Sequence, residues 1–276
     1  MSVSSTSSRF LADRLKVEVH PNRAALGLAA ARAAASHLAE VITRQGHARV
    51  IFGCAPSQNE FLAGLRDPVA TGVAIPWDKV TAFHMDEYIG MPPHSAQSFR
   101  RYLKEHLLDW VHVGQFHALA GEATDIPAEC ARYGALLAAA PIDLICLGIG
   151  ENGHLAFNDP PVADFDDPVL VRTVELEEVC RRQQVFDGWY SSIDSVPRHA
   201  LSLTIPVFRN ARRLSIHVPG PRKAAAVRAT VQDPVTTACP ATILRSHPDA
   251  TLYIDRHSAA DLFNSTPSTR SQAGES

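Results

Sequence analysis

Cysteine is scarce in this chain and shows no spacing that suggests a disulfide framework or a metal centre. The sequence of 276 residues contains five cysteines, which are Cys54, Cys130, Cys146, Cys180 and Cys239. Their number is odd, no two form a C-x-x-C pair, and none has a histidine at a ligand-like distance. We therefore expect reduced thiols and no metal. Cys146 lies within an apolar stretch and is expected to be a small core residue rather than a nucleophile.

Basic tracts and long apolar runs are also missing. The formal net charge is −3, and no cluster of lysine and arginine is interleaved with aromatic residues, which argues against nucleic acid as a partner. No apolar run approaches the roughly 18 residues of a membrane-spanning helix, and residues 1–8 lack the apolar core of a signal peptide. We therefore expect no membrane partner and a cytoplasmic location.

The chain is instead rich in apolar residues, at 46%, arranged in alternating strand-like and helix-like segments. Strands are expected at residues 49–53, 79–84, 143–147, 202–205, 214–218 and 251–255. Helices are expected at residues 22–44, 59–65, 95–108, 129–140, 222–232 and 258–263. This alternation predicts one α/β domain over residues 1–264, built on a single doubly wound, mainly parallel sheet flanked by helices. Residues 265–276, rich in serine and without apolar anchors, are expected to form a disordered tail.

The most informative segment is residues 144–160 (LICLGIGENGHLAFNDP), an apolar strand followed by a glycine-rich loop. Its three loop glycines permit turns at the carboxyl end of a strand, where ligands of α/β sheets bind. His154 can exchange a proton near neutral pH, and Asp159 is placed to orient it. The G-x-G-x-x-G pattern resembles a dinucleotide fingerprint, but no second strand ends in an acidic residue about 20 positions further on. A nicotinamide cofactor is therefore not expected.

Polar residues follow three of the expected strands, and parallel strands present such ends at one edge of a sheet. These residues are Ser57 and Gln58, then Asp86 and Glu87 in a loop, then Asn152, His154 and Asp159. Each alone has an ordinary structural explanation. Asp86 could be a turn residue, Glu87 a solvated or structural neighbour, and His154 a satisfied polar side chain. Their convergence on one edge is what indicates a site.

Lys223 stands with Arg222 in the first turn of the helix expected at residues 222–232. Two cations at this position oppose the helix dipole unless an anion is bound there. The loop at residues 54–58 also leads into a helix whose free amide groups form a natural anion site. A phosphate-bearing ligand is the simplest anion that explains both features, whereas Lys223 alone would be an ordinary surface lysine.

Taken together, these segments resemble the glucosamine-6-phosphate deaminases, also called isomerases, within a larger group that includes the 6-phosphogluconolactonases. The resemblance rests on MDEY at residues 85–88, SF at 98–99, GIGENGHLAFNDP at 148–160, SIDSVPRHAL at 192–201 and GPRKA at 220–224. The histidine loop continues through Phe157 and Asn158, which favours the deaminase branch over the lactonases. The resemblance implies a Rossmann-like fold and a sugar phosphate substrate.

The reaction implied by this resemblance is the conversion of an amino sugar 6-phosphate to fructose 6-phosphate and ammonia, without a metal or other cofactor. Glucosamine 6-phosphate is the first candidate substrate. Asp86 would move the proton from C2 to C1 of the opened sugar, and His154 would assist ring opening. Asn152 and Asp159 would hold the histidine. Asn152 stands where many members have Asp, and Asp159 stands where they usually have Glu.

The same resemblance implies a phosphate site in which this chain departs from the family. Its candidate residues are Ser57, Gln58, Lys223, Arg181, Arg182 and Gln184. The usual Thr-Gly-Gly-Thr-like loop is replaced by CAPSQ at residues 54–58, where Pro56 lacks an amide proton. Gln184 stands in place of a phosphate-binding arginine, and Arg181 and Arg182 lie beside it as substitutes.

Two other functions stay open at this point. One is a 6-phosphogluconolactonase-like hydrolase or a related hexose-phosphate isomerase, and the other is a non-catalytic regulator that binds a sugar phosphate. The presence of both Asp86 and His154 argues against a regulator, because a sensor needs neither a base nor a ring-opening group. The sugar epimer and any allosteric effector are not decided by the sequence, which also leaves open whether the chain forms a homo-oligomer.

Overall fold

An eight-stranded sheet forms the centre of the computed structural model, which describes residues 8–160 and 162–263. The strands of both sheets, numbered along the described residues, are β1 Ser8–Ala12, β2 Leu15–His20, β3 Ala48–Phe52, β4 Val80–His84, β5 Asp86–Tyr88, β6 Gln115–His117, β7 Leu144–Leu147, β8 Val171–Glu175, β9 His199–Leu203, β10 Leu214–Val218 and β11 Ala250–Asp255. The central sheet has the order β1-β2-β11-β10-β7-β3-β4-β6. Among the described residues, each neighbouring pair in it is parallel except β1 with β2. The tail predicted at residues 265–276 lies outside the described residues.

Helices cover both faces of this sheet. They are α1 Arg23–Gln45, α2 Asn59–Leu65, α3 Pro68–Thr71, α4 Phe99–Leu103, α5 Ile126–Ala138, α6 Glu178–Phe186, α7 Ile205–Asn210, α8 Ala224–Gln232 and α9 Ala260–Phe263. Alternate residues of one strand belong to different cores: in β7, Ile145 and Leu147 join one cluster, whereas Leu144 and Cys146 join the other. A strand that is buried on both faces has a continuous apolar sequence. The predicted doubly wound, mainly parallel sheet is therefore confirmed, and Cys146 is a core residue.

The helix α1 shows how local sequence sets one of these layers. The side chain of Asn22 accepts a hydrogen bond from the amide of Ala25 at 2.9 Å and caps the helix, and Gly46 ends it at a φ of 84°. A Cβ on Gly27 would lie 2.5 Å from the Cβ of Glu60, so glycine permits the close approach of α2. By length and composition α1 could cross a membrane, which corrects the expectation that no apolar run is so long. Half of its most apolar window is buried, as in the core helix of a globular domain.

A second, three-stranded antiparallel sheet of order β5-β9-β8 lies beyond the end of β4. Residues Asp86–Tyr88 form its short strand β5 and were wrongly expected to be a loop. The strand predicted at 202–205 is β9 of this sheet instead of a member of the parallel one. The hairpin of β1 and β2 was not predicted. Short strands that pair with distant segments have little periodicity of their own, because their partners define them.

Candidate active site

The carboxyl ends of β3, β4, β7 and β10 border one cleft with an empty volume of about 630 Å³. The residues predicted from the sequence that line this cleft are Ser57, Gln58, Asp86, His154, Gln184 and Lys223. Parallel strands end at the same edge of the sheet, so residues far apart in sequence meet there. Phe99, Phe157 and Trp189 add an aromatic wall that the sequence reasoning did not identify as part of the site.

Asp86 presents a nearly buried carboxylate to the cleft, with 9% of the residue exposed. Among the described residues, no side chain or amide donates a hydrogen bond to this carboxylate. Burial, followed by the negative charge of Glu87, raises the pKa of Asp86 to about 8. A base with a pKa near the working pH is suited to removing and returning a proton.

The backbone of Asp86 is held by His84, which sequence reasoning did not single out. The Nδ1 of His84 lies 2.9 Å from the Asp86 carbonyl, and its Nε2 lies 2.9 Å from the amide of Leu119. Burial lowers the pKa of His84 to about 3, so the ring is neutral at physiological pH. It therefore donates from Nδ1 and accepts at Nε2, which fixes the chain at the bend between β4 and β5.

Glu87 is fully buried and plays a structural part. Its carboxylate accepts hydrogen bonds from the Ser98 hydroxyl at 2.7 Å, from the amides of Tyr88, Phe99 and Arg100, and from the Arg100 side chain at 3.3 Å. Burial nonetheless raises the pKa of Glu87, because desolvation outweighs these donors. The residue anchors α4 beside Asp86 and contributes to the raised pKa of its neighbour.

His154 has two hydrogen-bond acceptors beside its Nδ1. Its Nδ1 is 2.8 Å from the Asn152 Oδ1 and 2.9 Å from the Asp159 Oδ1, and the Asn152 amide donates to the same Asp159 oxygen at 2.8 Å. With acceptors there, Nδ1 carries a proton and Nε2 is left to act on a ligand. Burial would raise the pKa of Asp159, but hydrogen bonds and charge from His154, with help from Asn152, leave that pKa below its ordinary value.

Local sequence explains why the histidine loop takes this shape. A Cβ on Gly150 would lie 2.2 Å from the His154 ring, so only glycine lets the ring fold back over that residue. Gly153 has a φ of 83°, which disfavours other residues. The buried Asn158 amide donates to the carbonyls of Leu155 and Leu203, both at 2.7 Å, and ties the loop to β9. The loop is thus rigid where it carries His154.

The fold also brings Cys180 to this pair, which the sequence spacing did not reveal. The ligand atoms of His154, Asp159 and Cys180 lie within 4.8 Å of one another, close enough in principle to hold a metal ion. The Cys180 thiol lies beside the buried Asp159 carboxylate and is one of the groups that lower the pKa of Asp159. Burial raises the pKa of the Cys180 thiol well above its ordinary value, so the thiol stays neutral beside the carboxylate. The absence of a metal remains a prediction.

The predicted phosphate residues divide into two groups. Ser57, Gln58, Gln184 and Lys223 line the cleft, whereas Arg181 and Arg182 do not. Two features hold the arginines away. The Arg181 guanidinium donates to the carbonyls of Ile193 and Val196, at 2.5 and 3.1 Å. The side chain of Arg182 is exposed and pairs with Glu178 one turn earlier. The rotation of α6 instead turns Gln183 and Gln184 toward the cleft, so the expected substitution by arginine is not supported.

Lys223 supplies a cation to the cleft, at the end of a short 3₁₀ turn that precedes α8. In the described ranges it has no carboxylate within ion-pair distance. Its neighbour Arg222 pairs with Glu151 and Asp187 and lies 3.4 Å over the Phe186 ring. Burial lowers the pKa of Lys223, although Glu151 and Asp187 act in the opposite direction. A partly buried ammonium without a partner is a suitable site for an anion.

Comparison with known proteins identifies the family of this chain. The family described as glucosamine-6-phosphate isomerases/6-phosphogluconolactonase matches residues 21–253. A glucosamine-6-phosphate deaminase from Exiguobacterium sp. is 38% identical over 188 residues, which is 68% of this chain and 72% of that protein. One from Lactobacillus delbrueckii subsp. bulgaricus is 35% identical over 186 residues, 67% of this chain and 77% of the relative.

Solved structures show the same fold. A monomeric glucosamine-6-phosphate deaminase superposes with a TM-score of 0.82 at 27% identity and covers 89% of this chain and 99% of its own. A 6-phosphogluconolactonase from Shewanella baltica has a TM-score of 0.70 at 17% identity, with the same coverage of 89% and 99%. This chain therefore belongs to the family of glucosamine-6-phosphate isomerases and 6-phosphogluconolactonases.

Proposed function

We propose that this protein is an enzyme that converts glucosamine 6-phosphate and water to fructose 6-phosphate and ammonia. The observation that carries the proposal is the presence, in one cleft, of the Asp86 carboxylate, which accepts no hydrogen bond from the described residues, and of a His154 ring whose Nδ1 is already hydrogen-bonded. One group suits proton abstraction next to a carbonyl, and the other suits proton exchange at the sugar oxygens. The deaminases among the relatives support the choice of substrate.

The first step is ring opening at His154. The free Nε2 accepts the proton of the O1 hydroxyl, the C1–O5 bond breaks as the C1–O1 double bond forms, and the proton passes to O5. Asn152 and Asp159 keep the ring in one tautomer and stabilise its transient positive charge. Of the two residues that contact Nδ1, Asn152 is neutral and Asp159 supplies negative charge to the imidazole.

The second step is proton transfer from C2 to C1 at Asp86. The carboxylate removes the C2 proton next to the aldehyde, and the same proton is returned to C1 as the amine nitrogen forms a double bond to C2. O1 gains a proton and the nitrogen loses one, so the resulting ketimine is an isomer of the opened sugar. Water then adds to C2 and ammonia leaves, which gives the ketone of fructose 6-phosphate.

The phosphate lies, in this proposal, between Lys223 and the loop that carries Ser57. Lys223 provides a charge that has no ion-pair partner among the described residues, and Ser57 provides a hydroxyl in the same cleft. The amides of Gln58 and Asn59, which precede and start α2, already donate to the carbonyls of Ala55 and Pro56, so the amide site expected there is not available. Since the phosphate is remote from C1 and C2, its binding energy serves both to capture the sugar and to orient it. Gln184 offers a neutral hydrogen-bonding side chain where an arginine would add charge.

An ammonia-release assay tests the proposal. Purified protein is given glucosamine 6-phosphate, galactosamine 6-phosphate, unphosphorylated glucosamine and, in a separate assay, 6-phosphogluconolactone. We expect one ammonia for each fructose 6-phosphate formed from glucosamine 6-phosphate, and much slower reaction with the others. Lactone hydrolysis without ammonia release would favour the lactonase function, and binding without either reaction would favour a regulator.

We further propose a cytoplasmic location. All five cysteines are free in the structure, and four of them are buried. Reduced, unpaired thiols are the usual state in a reducing compartment. Whether the chain assembles into a homo-oligomer is tested by light scattering on the same preparation.

A further inference from the structure

A buried chain of hydrogen bonds runs from the central sheet to the phosphate side of the cleft. The Ser215 hydroxyl lies 2.8 Å from His217 Nε2, and His217 Nδ1 lies 2.7 Å from the Gln58 Oε1. The Gln58 amide nitrogen then lies 3.0 Å from the Ser57 hydroxyl. Gln58 is 1% exposed and His217 is fully buried, whereas Ser57 lines the cleft.

These hydrogen bonds can run in one direction in which every buried donor has an acceptor. If Ser215 donates to Nε2, His217 donates from Nδ1 to Gln58, and the Gln58 amide donates to the Ser57 oxygen. In the reverse direction His217 would donate to Ser215, whose own proton would have no other acceptor among the residues described. A buried donor without an acceptor is costly. Ser57 therefore accepts from inside and has its proton free to point into the cleft.

The surroundings keep this arrangement fixed. The Phe61 ring packs on the His217 ring, with 3.9 Å between centroids. His217 is deeply buried, and a Cβ on Gly148 would lie 3.1 Å from the Ser57 oxygen, so the hydroxyl is closely confined. A neutral, packed imidazole transmits one hydrogen-bond direction and does not switch with pH near neutrality.

We infer that Ser215, His217 and Gln58 act as positioning residues that hold Ser57 as a hydrogen-bond donor toward the phosphate of the substrate. A phosphate oxygen only accepts hydrogen bonds, so a fixed donor favours it over a hydroxyl, which can adapt to either role. The inference deepens the proposed function and rests on it for the position of the phosphate. It also revises the part expected of Gln58, which acts through Ser57 instead of contacting the phosphate itself.

A double-mutant cycle tests this with Ser215→Ala in the wild-type and Ser57→Ala backgrounds. Binding of glucose 6-phosphate and of glucose, neither of which can lose ammonia, is measured by calorimetric or NMR titration. Removing the Ser215 hydroxyl leaves His217 Nε2 without its partner in either direction of donation, so the direction is less strongly fixed and Ser57 is no longer held only as a donor toward the cleft. We expect glucose 6-phosphate binding to weaken roughly 3- to 10-fold in the wild-type background, with glucose binding unchanged. In the Ser57→Ala background, Ser215→Ala should have no further effect.

Thr230→Val is the matched control, because it removes a fully buried hydroxyl that is not part of the hydrogen-bond network from Ser215 to Ser57. It should leave binding of both sugars unchanged.

The inference would be overturned by equal losses of glucose and glucose 6-phosphate binding, by additive losses in the cycle, or by no loss at all. It would also be overturned if wild-type protein bound the two sugars equally. If the cycle behaves as expected but glucosamine 6-phosphate yields no ammonia, the proposed function fails and the positioning chain stands. If ammonia is released but the cycle is additive, the proposed function stands and the positioning chain fails.

Discussion

Replacing Asp86 by Asn should stabilise the protein while it removes the base. The carboxylate is nearly buried and accepts no hydrogen bond from the described residues, and its pKa rises from the ordinary 3.8 to about 8. The folded state therefore keeps a proton that the unfolded chain has lost. Stability falls as pH rises between these two pKa values and levels off above the higher one.

The size of the effect follows from the same shift. Each pH unit between 5 and 8 removes about 1.4 kcal/mol of unfolding free energy, and the full loss at pH 9 is about 6 kcal/mol. The buried amide of the variant would lack partners, which costs about 1–3 kcal/mol. We expect a net gain for Asp86→Asn of about 3 kcal/mol at pH 9 and little or none at pH 5.

Urea denaturation of both proteins at pH 5, 7 and 9 measures this difference directly. The exposed Asp194→Asn variant is the control and should show no pH-dependent gain. Activity should fall about 10²–10⁴-fold in Asp86→Asn, as is typical for loss of a general base. An advantage of equal size at pH 5 and pH 9, or a variant less stable than wild type at pH 9, would refute the reasoning.

Three further variants test other parts of the site. His154→Gln should slow closed-ring glucosamine 6-phosphate by about 10²–10⁴-fold but spare an analogue already in the open-chain form; equal losses on both would indicate a structural histidine. Lys223→Ala should raise KM for the phosphorylated sugar at least about 10-fold and leave the slow reaction of glucosamine unchanged, whereas Lys79→Ala, an exposed control, should change neither. Glu87→Gln should lower the pH at which kcat/KM rises, expected near pH 8 in the wild type, because it removes the second cause of the raised Asp86 pKa; an unshifted profile would contradict that assignment.

The parts of the fold that the sequence predicted are those with strong local patterns. The strand at 214–218 has the predicted bounds, and a helix starts at residue 59 as predicted. A continuous apolar run identifies the strand without tertiary context. The meeting of Asp86, His154 and Lys223 at one cleft followed from parallel topology, which collects the carboxyl ends of strands.

The parts that could not be predicted depend on contacts between distant segments. The strand β5 has three residues and exists through pairing with β9, so the segment read as a loop. The turn of α6 that faces the cleft is set by packing, so the sequence could not show that Gln184 lines the cleft while Arg181 and Arg182 do not. Likewise, Gln58 reaches His217 and Cys180 approaches Asp159 only after folding, and neither pair has a spacing that a sequence pattern reveals.

The central claim is that Asp86 removes the C2 proton during deamination, and glucosamine 6-phosphate carrying deuterium at C2 tests it most directly. We predict a primary isotope effect on kcat/KM, one ammonia for each fructose 6-phosphate, and deuterium found by NMR at C1 or exchanged into water. Asp86→Asn, folded and stable, should turn the substrate over about 10²–10⁴-fold more slowly. Ammonia released with the deuterium still at C2, or turnover by Asp86→Asn close to that of wild type, would contradict the account.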